Sequence, residues 1–282
     1  MTSSQSPNTA DSAAPVAFIG GGNMASAIIG GLIERGTAAT AIHVVEPFEQ
    51  AREQLKKQFG VVASAAANED LKACQAVVWA VKPQTFKEAA APVAPFTQQA
   101  LHLSVAAGIR AGSVARWLGV QRVARAMPNT PALVGKGMTG LYAGPAVSQA
   151  DRQRVESLLR PTGDLLWLER EEQLDAVTAL SGSGPAYVFY FLEAMVKAGT
   201  QMGLSESQAR QLAVGTFSGA SALAGSSGDA LETMRQRVTS KGGTTHAAIT
   251  TMDEGGVQAI FIRAMQAAQH RADEMGEEFG RQ

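Results

Sequence analysis

The sequence predicts an α/β domain followed by an all-helical one, and three observations carry that prediction. Val16 to Ile19 is a short apolar run that gives way to Gly20-Gly21-Gly22, then to Met24, Ile28, Ile29 and Leu32 at helical spacing. Further short apolar runs alternate with helical stretches as far as Leu168, the pattern of strands joined by crossover helices. From Glu169 onward the texture is helical only. The expected division is a leader at 1–14, a nucleotide-binding domain at 15–169 and a helical domain at 170–282. The leader is rich in Ser, Thr, Asn and Ala and lacks both the basic and the apolar region of a signal peptide, so it reads as disordered.

Composition narrows the classes. At 282 residues the chain is long enough for two domains with real cores. A net charge of −1 gives no bulk attraction to nucleic acid or to an anionic membrane. The single Cys74 excludes an internal disulfide framework and suits a reducing, cytoplasmic setting. His43, His102, His246 and His270 show no ligand spacing, so no metal site is expected. Pro and Gly interrupt the longest uncharged runs, which argues against a membrane-spanning helix.

Taken in order, Gly20, Gly22 and Ala25 fall on a G-x-G-x-x-A spacing between a strand and a helix, the context that a dinucleotide fingerprint requires. Gly20 permits the tight turn, Gly22 permits close approach of a pyrophosphate, and Ala25 keeps the helix near the sheet. The first domain is therefore Rossmann-like. Ala41 to Val45 reads as a second strand ending in Glu46, placed to accept from a ribose 2′-hydroxyl and to disfavour a 2′-phosphate. Arg52 in the next turn offsets that repulsion, which leaves NADH and NADPH both open. Helix 49–59 ends at Gly60, and Val61-Val62 reads as the third strand. Asn68 suits a helix N-cap. The apolar run Ala76 to Val81 stops at Lys82-Pro83, and Leu101 to Val105 stops at Ala106-Ala107-Gly108. Arg122 to Ala126 leads into Met127-Pro-Asn-Thr-Pro131. These small or rigid strand ends lie where open α/β sheets bind ligands. Met138 to Tyr142 and Leu165 to Leu168 are further strands around helix 149–159.

In the helical domain, Pro185 suits a first helical turn behind a Ser/Gly cap. Residues 186–196 are apolar on nearly every face, as expected of a helix buried against a second subunit. Helices 205–224 and 228–238 follow. Ser240 to Thr245 then sets hydroxyls around Gly242 and Gly243 before another helix, a loop suited to an anion such as a substrate carboxylate. The last helix carries Val257, Ile260, Phe261, Ala264, Met265 and Ala268 on one face.

Val238-Thr-Ser-Lys-Gly-Gly-Thr-Thr-x-x-Ala-Ile resembles the signature of the pyrroline-5-carboxylate reductases. Phe18-Ile-Gly-x-Gly-Asn-Met, Ala80-Val-Lys-Pro83, Ala106-Ala-Gly108, Met127-Pro-Asn-Thr-Pro131 and Ser181-Gly-Ser-Gly-Pro-Ala-Tyr187 are similar to that family's other blocks, in the same order. Lys241 stands where many relatives have Pro. The resemblance implies reduction of the cyclic imine 1-pyrroline-5-carboxylate to L-proline with NADPH or NADH, the last step of proline synthesis. It also implies a homodimer made through the helical domain, often assembled further into rings, as large as a decamer of dimers.

Carried over by position, the resemblance puts Gly21, Asn23 and Met24 on the pyrophosphate, beside Gly20 and Gly22. It puts Asn68 near the adenosine, and Val81, Lys82 and Ala107 along the ribose and nicotinamide. Pro83 and Asn129, in matching blocks, join the cofactor set with Glu46. Ser240, Gly243, Thr244 and Thr245 would hold the substrate carboxylate. Thr245, Lys82 and Glu171 are the candidates for the catalytic step, with the proton donor left open. A β-hydroxyacid dehydrogenase would place Lys and Asn where this chain has Val188 and Leu192, both apolar. A nucleotide-sensing module would have no use for a second anion loop.

Overall fold

The computed structural model describes residues 14–280; the expected leader at 1–14 lies outside them except for Ala14. Two compact units are present. The first runs to Gly182 and takes up the C-terminal segment from Gln269; the second is Ser183–Ala268. The division thus falls later than the expected 169/170. Residues 170–182 stay with the first unit because Leu174 and Ala179 are buried there and Glu171 and Asp175 pair with its arginines.

The first unit contains β1 (Val16–Ile19), α1 (Asn23–Glu34), β2 (Ile42–Val45), α2 (Glu49–Phe59), β3 (Ala63–Ser64), β4 (Ala76–Trp79), α3 (Phe86–Val93), β5 (Leu101–Ser104) and α4 (Ala111–Leu118). It continues with β6 (Val123–Met127), β7 (Gly137–Ala143), α5 (Gln149–Leu159), β8 (Gly163–Trp167) and the short α6 (Gln173–Val177). The strands form one sheet in the order β3-β2-β1-β4-β5-β6-β7-β8. All neighbours are parallel except β6 and β7, which pair antiparallel, Ala124 opposite Ala143. Alternation along β1 explains the layering. Val16 and Phe18 enter one core with Ile28 and Ile29 of α1, while Ala17 and Ile19 enter the other with Trp79, Phe86 and Val114. Burial on both faces is why these strands read as continuous apolar runs.

The third strand departs from expectation. Val61-Val62 is not a strand; Val61 turns into the core, Val62 is 75% exposed, and pairing with β2 begins at Ala63. The left-handed Gly60 that ends α2 swings the chain, so two residues are spent before the backbone reaches the sheet edge. A short turn of helix at Ala39–Ala41 likewise takes the start expected for β2.

The second unit comprises α7 (Gly184–Gln201), α8 (Glu206–Ser226), α9 (Leu231–Arg237), α10 (Thr244–Glu254) and the first half of α11 (Val257–Gly280). Pro185 sits in the first turn of α7, and Ser205 with Gln208 forms a reciprocal cap on α8. Phe261 meets Tyr187 and Phe191 edge-on, with ring centroids 5.6 and 5.5 Å away. The helix expected to be buried all round is not buried within this chain. Phe189 is 59% and Tyr190 72% exposed, and Leu212, Leu223 and Ile260 are exposed as well. No helix among the described residues is long and apolar enough to cross a membrane.

Candidate active site

The order of strands reverses between β1 and β4, and the glycine loop sits at that crevice. Gly20 has φ +93°, and a Cβ there would lie 2.6 Å from the Ala80 carbonyl oxygen, so the turn after β1 is open to glycine alone. Its N–H donates to the Val45 carbonyl, while the Ala80 N–H donates to the Ile19 carbonyl, which locks the loop between β2 and β4. Gly22 is the N-cap of α1, with no described atom within 4 Å of where a Cβ would stand. No side chain caps α1 and no acid occupies its first turn. The helix-start amides of Asn23 and Met24 and the positive end of the helix dipole are left to an anion. This cradle fits a dinucleotide pyrophosphate.

One partner differs from the expected pattern. The Gly21 N–H donates to Glu46 Oε2 at 2.7 Å, and Glu46 Oε1 accepts the Phe48 N–H at 2.9 Å. Gly21 therefore ties the loop to Glu46 through its amide. Gly21 and Glu46, each expected to meet the cofactor, are joined to each other. Asn68 caps the turn after β3, accepting the Asp70 N–H, and its amide donates to Ser64 Oγ at 3.3 Å. Both line a groove along β2 with Val45 and His43.

At the end of β4, Val81 packs near Gly20, and Lys82, solvent-exposed, precedes a helical turn opened by Pro83. Ala107 follows β5 and is half-buried. Its neighbour Gly108 has φ +74°, and a Cβ there would meet Met275 and Phe279 of α11 at 3.1 and 3.3 Å. Asn129 is occupied: its amide donates to Ser181 O and Oγ at 3.2 Å, and its Oδ1 accepts the Met138 N–H at 2.9 Å. That side chain, expected to contact the cofactor, ties the loop after β6 to residue 181.

Glu171 is likewise engaged. Its Oε1 lies 2.7 Å from Arg125 Nη1 and accepts the Ala111 N–H at 2.6 Å. Arg125 is buried in β6; burial draws its guanidinium below its usual pKa and the Glu171 charge opposes that. Beside it, Arg110 Nη2 reaches Asp175 at 2.7 Å and Asp273 at 3.1 Å. These groups fix Arg110 and Ala111, so Glu171 anchors the far end of the loop that carries Ala107. The sequence reading missed this network, although an arginine inside the apolar run Val123–Met127 was its visible trace: a cation in a core strand needs a carboxylate.

The remaining set lies in the second unit. Gly243 is the N-cap of α10, its N–H donates to Ser240 O at 3.0 Å, and a Cβ on it would lie 2.6 Å from Ser240 Oγ. Gly242 has φ +75°. Thr244 and Thr245 open α10, which again has no side-chain cap and no acid in its first turn. Ser240, Thr244 and Thr245 are exposed.

Comparison with known proteins places the chain in a family. A family model described as pyrroline-5-carboxylate reductase dimerisation matches residues 171–275, and one described as NADP oxidoreductase, coenzyme F420-dependent, matches residues 15–108. A pyrroline-5-carboxylate reductase of Pseudomonas aeruginosa is 42% identical over 94% of this chain and 98% of its own length. The chain belongs to the pyrroline-5-carboxylate reductase family. The structure of a pyrroline-5-carboxylate reductase from Coxiella burnetii superposes with a TM-score of 0.85 at 36% identity, covering 93% of this chain and 98% of that one. A Plasmodium falciparum pyrroline carboxylate reductase, described with NADP bound, gives 0.84 at 25% identity, covering 94% and 99%. Membership in the reductase family accounts for the order of the motif blocks along the chain and for the helical second unit.

Proposed function

We propose that this chain reduces 1-pyrroline-5-carboxylate to L-proline with NADH or NADPH, the last step of proline synthesis. The observation that carries the reading is the pair of uncapped helix starts, α1 and α10, each behind a glycine-bearing loop and one in each unit. A dinucleotide sensor has work for only the first. The α1 cradle takes the pyrophosphate, and the ends of β4 and β5, with Val81, Lys82 and Ala107, flank the ribose and nicotinamide. Ser240, Gly243, Thr244 and Thr245 take the substrate carboxylate on amides and hydroxyls.

A nicotinamide held there would supply the hydride that the imine carbon takes, and the ring nitrogen of the product keeps the proton of the iminium. A protonated imine is already electrophilic, so the residues contribute mainly by holding the reacting carbons within about 3–3.5 Å and excluding water. In this reading the Thr245 hydroxyl helps hold the proton at the nitrogen. Glu171 contributes as a positioning residue through Ala111 and Arg125. The exposed apolar faces of the helical unit support a homodimer, with a decamer of dimers as the further assembly. A cytoplasmic location fits Cys74, a lone buried thiol that burial pushes up to about 11.

The test is oxidation of NADH and NADPH at 340 nm by the purified protein with 1-pyrroline-5-carboxylate. Turnover with proline formed in equal amount is expected. Absence of turnover with either cofactor, while both bind, overturns the reading.

A further inference from the structure

We propose that Glu46 makes this chain an NADH-preferring enzyme by closing the ribose corner to a 2′-phosphate. The inference rests on the reductase reading for its reaction, and on the glycine loop alone for its geometry. Glu46 follows β2 directly and is only 6% exposed. Its own N–H donates to Ser64 O, which ties its backbone to β3. Its two carboxylate oxygens accept the amides of Gly21 and Phe48 at 2.7 and 2.9 Å. The side chain cannot swing away without abandoning two backbone donors, one of them in the loop that shapes the pyrophosphate cradle.

An ionised carboxylate only accepts hydrogen bonds, and it has about four lone-pair sites. Two are spent on amides, and those remaining can take the hydroxyls of an unsubstituted adenosine ribose, which donate. A 2′-phosphate brings acceptor oxygens and negative charge to the same place. It finds no donor in this carboxylate, only repulsion.

The cation of this turn is held by the backbone beside Glu46. Arg52 Nη1 donates to the Glu46 and Pro47 carbonyls at 3.0 and 2.7 Å, so the guanidinium braces the turn. Between positions 46 and 53 the chain carries three carboxylates, Glu46, Glu49 and Glu53, against that one guanidinium. The corner is acidic on balance. The preference runs opposite to the NADP named for the Plasmodium relative.

The experiment measures equilibrium binding of NAD⁺ and NADP⁺ by calorimetry, alongside kcat/KM for NADH and NADPH, on the wild type and on Glu46→Gln. NAD⁺ is expected to bind the wild type at least about tenfold more tightly, the scale of one unfavourable charge contact in a partly solvated site. Glu46→Gln narrows the ratio by about tenfold, mainly through gained NADP⁺ affinity. Raising the salt narrows the wild-type ratio too, because screening weakens repulsion, and this readout needs no variant. Equal binding, tighter NADP⁺ binding, or a ratio indifferent to salt overturns the proposal. Tight NAD⁺ binding without turnover of 1-pyrroline-5-carboxylate sinks the reductase reading and leaves the Glu46 inference standing. Turnover that favours NADPH does the reverse.

Discussion

Thr245 stands at the opening of α10 beside Gly243, whose missing Cβ leaves room for Ser240 Oγ in its present position. Removing the hydroxyl leaves the backbone amides in place, so Thr245→Ala should lower kcat/KM by roughly 10- to 100-fold, measured by steady-state kinetics. Unchanged kinetics would take the carboxylate away from this loop. Residues whose role follows from their own backbone were legible in the sequence: Gly20, Gly22 and Asn68 do locally what their positions imply. Residues whose role depends on a distant partner were not. Glu46 is 25 positions from Gly21, and Asn129 is 52 from Ser181, so nothing in either neighbourhood announces the pairing.

Between β4 and β5 the sheet holds a buried polar bridge. Trp79 Nε1–H donates to His102 Nδ1 at 3.0 Å, and His102 Nε2–H donates to Thr97 O at 3.0 Å. The imidazole must be neutral to accept from the indole. Burial lowers its pKa from 6.5 to about 4. The unfolded chain therefore binds a proton at higher pH than the folded one does. The stabilisation is complete above pH 6.5 and is lost as pH falls from 6.5 towards 4, by up to about 3 kcal/mol. Urea unfolding midpoints at pH 7 and pH 5 should differ accordingly, and His102→Gln should flatten that difference; an equal slope in the variant would assign the acid sensitivity elsewhere. At this scale the strands of the parallel core were readable because burial on both faces leaves continuous apolar runs. The antiparallel β7 was readable as a strand and its direction was not, since direction is set by the connection around Thr130–Val134 and leaves no mark on apolar periodicity.

At the scale of the molecule, the exposed aromatic face of α7 is the strongest sign of assembly. Phe189 and Tyr190 are large side chains that a soluble unit rarely leaves in water together. Sedimentation at micromolar concentration should show a dimer or larger. Phe189→Asp should weaken assembly by roughly thirtyfold, from about 2 kcal/mol of lost burial per aromatic. A wild-type monomer at that concentration would refute the interface. The domain plan was legible in outline, from the change of texture at Glu169, but the return of the chain was not. In α11 the stripe from Val257 to Ala268 runs on into Ala272, Gly276 and Phe279, all buried in the first unit, with Gly276 flat against Arg110 and Arg116 bonded to the Gly280 carbonyl. The order along the polypeptide is therefore first unit, second unit, first unit. No single cut yields two whole pieces: a fragment stopped at Gly182 would lack the helix end that seals its own core, and one begun at Ser183 would carry a helical tail whose buried face belongs elsewhere. Separating the two units by cloning calls for a rewired chain, with the segment from Gln269 onward grafted back behind the first unit.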